Sequence, residues 1–215
     1  LRNSSAASDV YKRQLSDIAQ FINGELHGKD LLVSNFSIDS RTIRKDDVFI
    51  CIKGKKYDGH NFIKDCIKKA SCLITSKEIR DINLEEKSYI VVKDTLKALQ
   101  EISRYKRIKS KAKFIAITGS NGKTTVKEMV AHILSDHKIC YTKGNLNNHI
   151  GVPLTLLSMK QNEDYVIIEI GANNLGEISP LANIVNPDIA AVTNIGYAHI
   201  EGFKKADKPL HIFAV

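Results

Sequence analysis

Two glycines, a lysine and two adjacent threonines stand together in TGSNGKTT (Thr118–Thr125), directly behind the apolar run Phe114-Ile115-Ala116-Ile117. The chemistry these residue types share is anion capture. Glycines let a backbone approach phosphate oxygens with no Cβ in the way. A helix opening at Lys123 turns its first N–H groups, and the positive end of its dipole, toward the same anion. Lys123 is then placed to reach terminal phosphates, and Thr124 offers a hydroxyl to Mg²⁺. A tight glycine turn with a solvated lysine is the plain alternative, and the apolar strand in front argues against it.

The elements that must position this loop are legible around it. In the second half, KFIAIT reads as a strand, KTTVKEMVAHILSDH as a helix and DYVIIEI as a strand. GEISPLANIV then reads as a helix and DIAAVTNI as a strand. Continuous apolar strands alternating with amphipathic helices predict a parallel sheet covered on both faces. In the first half, LSDIAQFI has helical spacing and stops at Gly24. The strands LLVSNFSI and DVFICI, the helix HNFIKDCIKKA and the strands CLITS and SYIVV follow. DTLKALQEISRYKRIK reads as a helix with an Asp N-cap and a basic end.

The fold class is therefore α/β, with a small mixed α/β domain at 15–110 followed by a parallel-sheet domain at 111–215, the basic stretch Lys106–Lys113 serving as the boundary. The 215 residues suffice for two domains of about 100 residues each. Residues 1–14 (LRNSSAASDVYKRQ) do not read as fold, and from Ser4 onward they look like a translated sequencing adaptor, so they are set apart.

Composition narrows the function classes. The chain is 43% hydrophobic and 26% charged, as a globular protein with a core should be. No run approaches the ~18 apolar residues of a membrane span, and no signal-peptide region opens the chain, which predicts a cytoplasmic protein. The four cysteines lack CxxC spacing, so buried thiols are expected rather than a zinc knuckle. The net charge of +8 is carried by lysines scattered over helix faces without a nucleic-acid-binding signature. It suits a polyanionic small molecule better than nucleic acid.

One departure sharpens the picture. The common phosphate loop GxxxxGK[ST] needs glycine at 117, where this chain has Ile117; the spacing here is Gly119-x-x-Gly122-Lys123-Thr124. This shorter loop resembles that of the Mur ligase superfamily, ATP-dependent enzymes that join amino acids or peptides to a carboxylate. GNLNNHIGVPLTLL, IEIGANNLGEI and TNIGYAHIEGF follow in the order found there. DSRTIRKDDVFICIKGKKYDGHNFI resembles the superfamily's uridine-nucleotide-binding domain. Within the superfamily the set is most similar to the branch that adds D-alanyl-D-alanine to UDP-N-acetylmuramoyl-tripeptide through an acyl phosphate. A neighbouring amino-acid ligase, a folylpolyglutamate-type synthetase, a simpler P-loop ATPase or kinase, and a non-catalytic nucleotide-binding module are the alternatives.

The resemblance implies ATP on Gly119, Ser120, Asn121, Gly122, Lys123, Thr124 and Thr125, with Asn147 and Asn148 nearby. It implies Mg²⁺ on Thr124, Glu169 and His199, and catalytic roles for Lys123, Glu169 and His199. The UDP moiety is assigned to Ser40, Arg41, Lys53, Gly54, Asp58 and His60, where a guanidinium fork suits pyrophosphate. The family also places a lysine, carbamylated in many members, shortly after the histidine. The tail KKADKPLHIFAV lacks its spacing, and Lys204 and Lys205 come too soon. A truncated gene with a foreign tail after Phe203 is expected on that ground, along with a chain that does not itself ligate.

Overall fold

The computed structural model describes residues 13–54, 56–79, 87–160, 162–174 and 176–196. The chain divides into two compact units, residues 1–102 and 103–215. In the first, the elements in chain order are β1 (Arg13–Gln14), α1 (Leu15–Phe21), β2 (Glu25–His27), β3 (Leu32–Val33), β4 (Asn35–Ser37) and β5 (Asp47–Ile50). They are followed by α2 (Ile63–Lys69), β6 (Cys72–Thr75), β7 (Ser88–Val91) and the start of α3 (Thr95–Lys109). Five strands form a sheet in the order β2-β7-β6-β5-β4, parallel except for β2 against β7. DVFI and CLIT are buried at every position, as strands packed on both faces must be. Ile63, Cys66 and Ile67 of α2 pack on Phe49 and Leu73. All four cysteines are free, and burial pushes the thiols of Cys51 and Cys72 up to about 12, so they act as small apolar groups.

Arg13 and Gln14 correct the sequence picture. They were set apart with residues 1–12, which lie outside the described residues, yet they pair antiparallel with Val33 and Leu32. A backbone ladder asks little of side chains, so a segment with no core pattern can still be recruited to an edge.

The second unit contains β8 (Lys113–Thr118), α4 (Lys123–Ile133), β9 (Ile139–Tyr141), α5 (Gly151–Leu157), β10 (Tyr165–Glu169), α6 (Ile178–Val185) and β11 (Ile189–Val192). Its sheet runs β11-β8-β10-β9, all parallel. Alternation along β8 divides the core. Phe114 and Ala116 join Val152 and Leu156 of α5 and Leu181 and Val185 of α6. Ile115 and Ile117 meet Val126, Val130 and Ala131 of α4 on the other face. The expected sheet with helices on both faces is present. The chain leaves β8, passes beyond β10 to form β9, and later returns to the far side of β8 as β11. Such a reversal opens a crevice at the carboxyl ends of the strands, where open α/β sheets hold ligands.

Helix α3 begins as the sequence predicts, with Asp94 Oδ1 accepting from the N–H groups of Leu96 (2.8 Å) and Lys97 (3.1 Å). Its basic end behaves differently from a solvated face, and the division between units falls inside the helix rather than at 110. Lys106 Nζ donates to the Leu157 carbonyl (2.5 Å) at the end of α5, and burial pushes its ammonium down to about 8. Arg107 Nε donates to the Val185 carbonyl and Nη2 to that of Asn186, both at 2.7 Å, at the end of α6. Its guanidinium lies 3.8 Å over the Phe114 ring. Two cations thus satisfy carbonyls that the helices leave unpaired.

Arg107→Met keeps most of the apolar stem but leaves those carbonyls without their donor. It should cost about 2–3 kcal/mol in urea unfolding. Lys111→Met, at an exposed position, should stay within about 0.5 kcal/mol. Equal effects of the two would refute the capping role.

Candidate functional site: a phosphate loop and a buried carboxylate

The loop between β8 and α4 takes two left-handed turns, with φ of +137° at Gly119 and +79° at Gly122. A Cβ on Gly119 would strike the Thr193 side chain and lie 3.0 Å from its backbone nitrogen, so this position is closed to any other residue. Gly122 has open space around it and is needed for its backbone angle alone. Lys123 Nζ curls into the loop, donating to the carbonyls of Gly119 (2.7 Å) and Ser120 (3.2 Å).

The loop is braced by the segment after β11. Ser120 N–H donates to the Asn194 carbonyl (3.1 Å) and Asn121 N–H to Asn194 Oδ1 (2.9 Å). Thr193 Oγ1 donates to the Asn121 carbonyl (2.6 Å), and Ser120 Oγ exchanges hydrogen bonds with the backbone of Gly196. The sequence predicts that the turn's own N–H groups face an anion. Two of them, those of Ser120 and Asn121, are instead taken by Asn194, which shifts that role toward the first turn of α4, where helical N–H groups lack an internal partner. Thr124 and Thr125 sit on that turn, both exposed.

Glu169 ends β10 with 2% of its surface exposed, opposite Ile117 of β8 in the parallel register. Its Oε2 accepts from Thr124 Oγ1 (2.9 Å) and its Oε1 from Asn147 Nδ2 (2.8 Å). Its N–H donates to Thr142 Oγ1 (3.0 Å). Asn147 is in turn held by Gly171, whose N–H donates to the Asn147 carbonyl (2.8 Å). Asn148 does other work: its Oδ1 accepts from the N–H groups of Ile150 (3.0 Å) and Gly151 (2.9 Å) at the start of α5. The structure therefore brings Lys123, Thr124, Asn147 and Glu169 together and turns the Asn148 side chain to capping. His199 lies outside the described residues. Thr142, Asn194 and the buried Lys127 are parts of the arrangement that the sequence did not single out.

The donor set can be tested against Mg²⁺. Among the described residues no group of three or more His, Cys, Asp or Glu side chains could hold a metal ion. Thr124 and Glu169 present two hard oxygen ligands. The Thr124 hydroxyl gives its proton to Glu169 and keeps its lone pairs free. That suits Mg²⁺, which is usually held by one or two protein oxygens and completes its shell with phosphates and water.

In the first unit, most of the candidates for a UDP moiety are already engaged by neighbouring residues. Arg41 Nε and Nη2 form a fork on Asp39, at 2.9 and 2.7 Å, on an exposed turn that also carries Ser40. Lys53 and Asp58 form an isolated antiparallel bridge, and Gly54 N–H closes the turn onto the Tyr57 carbonyl (2.8 Å). Asp58 Oδ1 accepts from the His60 N–H (3.0 Å) and lies 2.5 Å from its Nδ1. His60 Nε2 accepts from the Ser76 N–H (3.2 Å), which fixes the tautomer with the proton on Nδ1.

A glycine loop between a strand and a helix, with a threonine bonded to a buried acidic strand end, is the arrangement of a phosphate-loop α/β domain. Family models extend the assignment. One described as "Mur ligase family, catalytic domain" matches residues 32–107, and one described as "Mur ligase middle domain" matches residues 117–212, across much of the tail set apart at Phe203. The chain belongs to the Mur ligase family, whose members are ATP-dependent. It is 46% identical over 192 residues to the UDP-N-acetylmuramoyl-tripeptide–D-alanyl-D-alanine ligase of Buchnera aphidicola from Acyrthosiphon pisum, covering 88% of this chain and 41% of that one. The Escherichia coli K12 ligase of the same name is 41% identical over 191 residues, again with 41% of its length covered. The chain thus spans about two fifths of the curated relatives it matches. Among solved structures, MurF from Acinetobacter baumannii superposes with a TM-score of 0.82 at 34% identity, over 94% of this chain and 47% of that one. A Thermotoga maritima MurF ligase in complex with ADP gives 0.74 at 30% identity, over 83% and 41%.

The Asp39–Arg41 fork sets a pH test. Hydrogen bonds from Arg41 hold the Asp39 carboxyl down to about 2, below its ordinary 3.8. Whatever stability the pair contributes is present above the ordinary value and is lost as pH falls through the folded one. A carboxyl-carbon NMR titration should show the depressed midpoint, and Arg41→Leu should return it toward 3.8. A midpoint within about half a unit of the ordinary value in the unaltered protein would contradict the fork.

Proposed function

We propose that this chain is the nucleotide- and UDP-substrate-binding part of a ligase that adds D-alanyl-D-alanine to UDP-N-acetylmuramoyl-tripeptide, in the cytoplasmic synthesis of peptidoglycan precursor. The observation that carries the reading is the Thr124–Glu169 hydrogen bond, which ties the phosphate loop to a buried carboxylate at the strand end. The similarity to ligases of that name supports the choice of substrates.

The reaction is taken in two steps. A carboxylate oxygen of the tripeptide attacks the γ-phosphorus of ATP, forming an acyl phosphate and releasing ADP. The amine of D-alanyl-D-alanine then attacks the acyl carbon, phosphate leaves, and the amine gives up a proton as the amide forms. Little covalent work falls to the protein, so positioning and charge neutralisation dominate. Lys123 turns from the loop carbonyls to the transferring phosphoryl group. Gly119 to Thr125 shape the cradle, and the first turn of α4 supplies N–H donors to phosphate oxygens. Thr124 and Glu169, with His199, are the residues that would hold magnesium, which supplies charge neutralisation on the phosphoryl oxygens. Asn147 keeps Glu169 oriented. Ser40, Arg41, Lys53, Gly54, Asp58 and His60 receive the UDP moiety, Arg41 exchanging its fork on Asp39 for pyrophosphate.

The full-length protein carrying this segment should turn ATP over continuously to ADP and phosphate only when both UDP-N-acetylmuramoyl-tripeptide and D-alanyl-D-alanine are supplied. Lys123→Ala should lower kcat by about 10²-fold or more, the scale for removing a donor to transition-state charge. Hydrolysis of ATP that ignores the peptide substrates would point to a simple ATPase instead. Near-normal turnover by Lys123→Ala would remove the role assigned to that lysine.

A further inference from the structure

Lys127 lies one helical turn beyond Lys123 on α4 and is fully buried. A lysine in such a place takes a desolvation penalty that an apolar residue of the same length would avoid, so its contacts are informative. Its Nζ donates to the Thr142 carbonyl at 2.9 Å and pairs with Glu128 Oε1 at 2.8 Å, with the Tyr141 ring 5.8 Å away. Thr142 follows the last residue of β9. It is fully buried and fastened to β10 at two further points. Its N–H donates to the Ile167 carbonyl (3.0 Å), and its Oγ1 accepts from the Glu169 N–H (3.0 Å).

Helix α4 therefore reaches Glu169 by two routes. Thr124 touches the carboxylate directly, and Lys127 holds the residue that holds the Glu169 backbone. Positions 124 and 127 are neighbours on one helix surface. Two anchors on one rigid helix fix both the distance and the angle between Thr124 Oγ1 and the carboxylate, where one anchor would leave a hinge.

We propose that Lys127 is a positioning residue: through Thr142 it fixes where Glu169 stands relative to Thr124, and so sets how strongly metal and nucleotide bind together. This rests on Thr124 and Glu169 being the magnesium-holding pair of the proposed function. Residues that orient metal ligands typically change metal affinity by about 10–100-fold when lost.

The test uses the purified protein, the β,γ-imido analogue of ATP, and calorimetric affinity in excess Mg²⁺ and in EDTA. The ratio of the two dissociation constants reads the metal's share of binding. Lys127→Met should cut that ratio by about tenfold while the affinity in EDTA changes less than about twofold. Thr142→Val, which keeps the shape but removes the hydroxyl acceptor of the Glu169 N–H, should cut it in the same direction. A ratio for Lys127→Met that matches the unaltered protein overturns the proposal, whether the affinity in EDTA is kept or lost, because a general collapse of the pocket weakens both conditions alike. Should Lys127→Met fail to fold, Thr142→Val decides on the same terms. Glu169→Gln separates the two levels. If it keeps the ratio, the metal role of Glu169 has failed and the Lys127 proposal falls with it. If it loses the ratio while Lys127→Met keeps it, the Lys127 proposal alone falls.

Discussion

A carboxylate buried at the end of a central strand is the constraint on which the second unit depends. Glu169 is nearly inaccessible, and a buried acid without partners would cost several kcal/mol. The fold meets that cost with donors from two segments, Thr124 from the helix after the loop and Asn147 from the connection before α5, while Thr142 at the end of β9 accepts from the Glu169 backbone N–H. None of these can move far without leaving a polar group unpaired. The register of β10 against β8 is bound by the same requirement. Ile167 packs on the α4 face and Ile168 on the α5–α6 face. A slip of one residue would turn the carboxylate into an apolar layer with no donors.

Helix ends impose the second constraint, and the chain answers it with cations from elsewhere in the sequence. The end of α6 turns through Asn186 in the left-handed region, and its carbonyls are met by Arg107. The end of α5 is met by Lys106. Both cations belong to α3, the helix that starts in the first unit and finishes in the second. The α5 and α6 layer beneath the site is thus held by apolar packing on β8 and β10 and by three charge-assisted bonds from two cations at its rim.

How much of this the sequence showed follows from how local each signal is. The glycine loop, Lys123 and Thr124 were legible because their spacing along the chain is their geometry. Glu169 was legible because a strand's end can be read from its apolar run. β9 was not, since Ile139–Tyr141 is too short to display a period. α5 opens on Gly151, Val152 and Pro153, which read as loop until Asn148 is seen holding its first N–H groups. Lys127, Lys106 and Arg107 look like ordinary solvated charges on helical stretches; only the packing of distant segments shows Lys127 buried and the other two half-buried against carbonyls. Thr142 and Asn194 carry no local signature, because their partners are about 27 and 73 residues away along the chain.

Under the proposed function, the same geometry would leave the lysine of the loop available to an incoming anion. Lys123 and Glu169 carry opposite charges within one small site, and a direct pair between them would be costly to open. Both carboxylate oxygens are instead taken by neutral donors, Thr124 and Asn147, while Lys123 rests on two neutral carbonyls of its own loop. Hydrogen bonds to neutral acceptors are weaker than those to phosphate oxygens. An arriving phosphate would therefore exchange weak bonds for stronger ones and need not break an ion pair. With Asn194 holding the backbone of Ser120 and Asn121, the loop keeps its shape through that exchange. The lysine side chain is then the part that moves, and the carboxylate stays where three segments have fixed it.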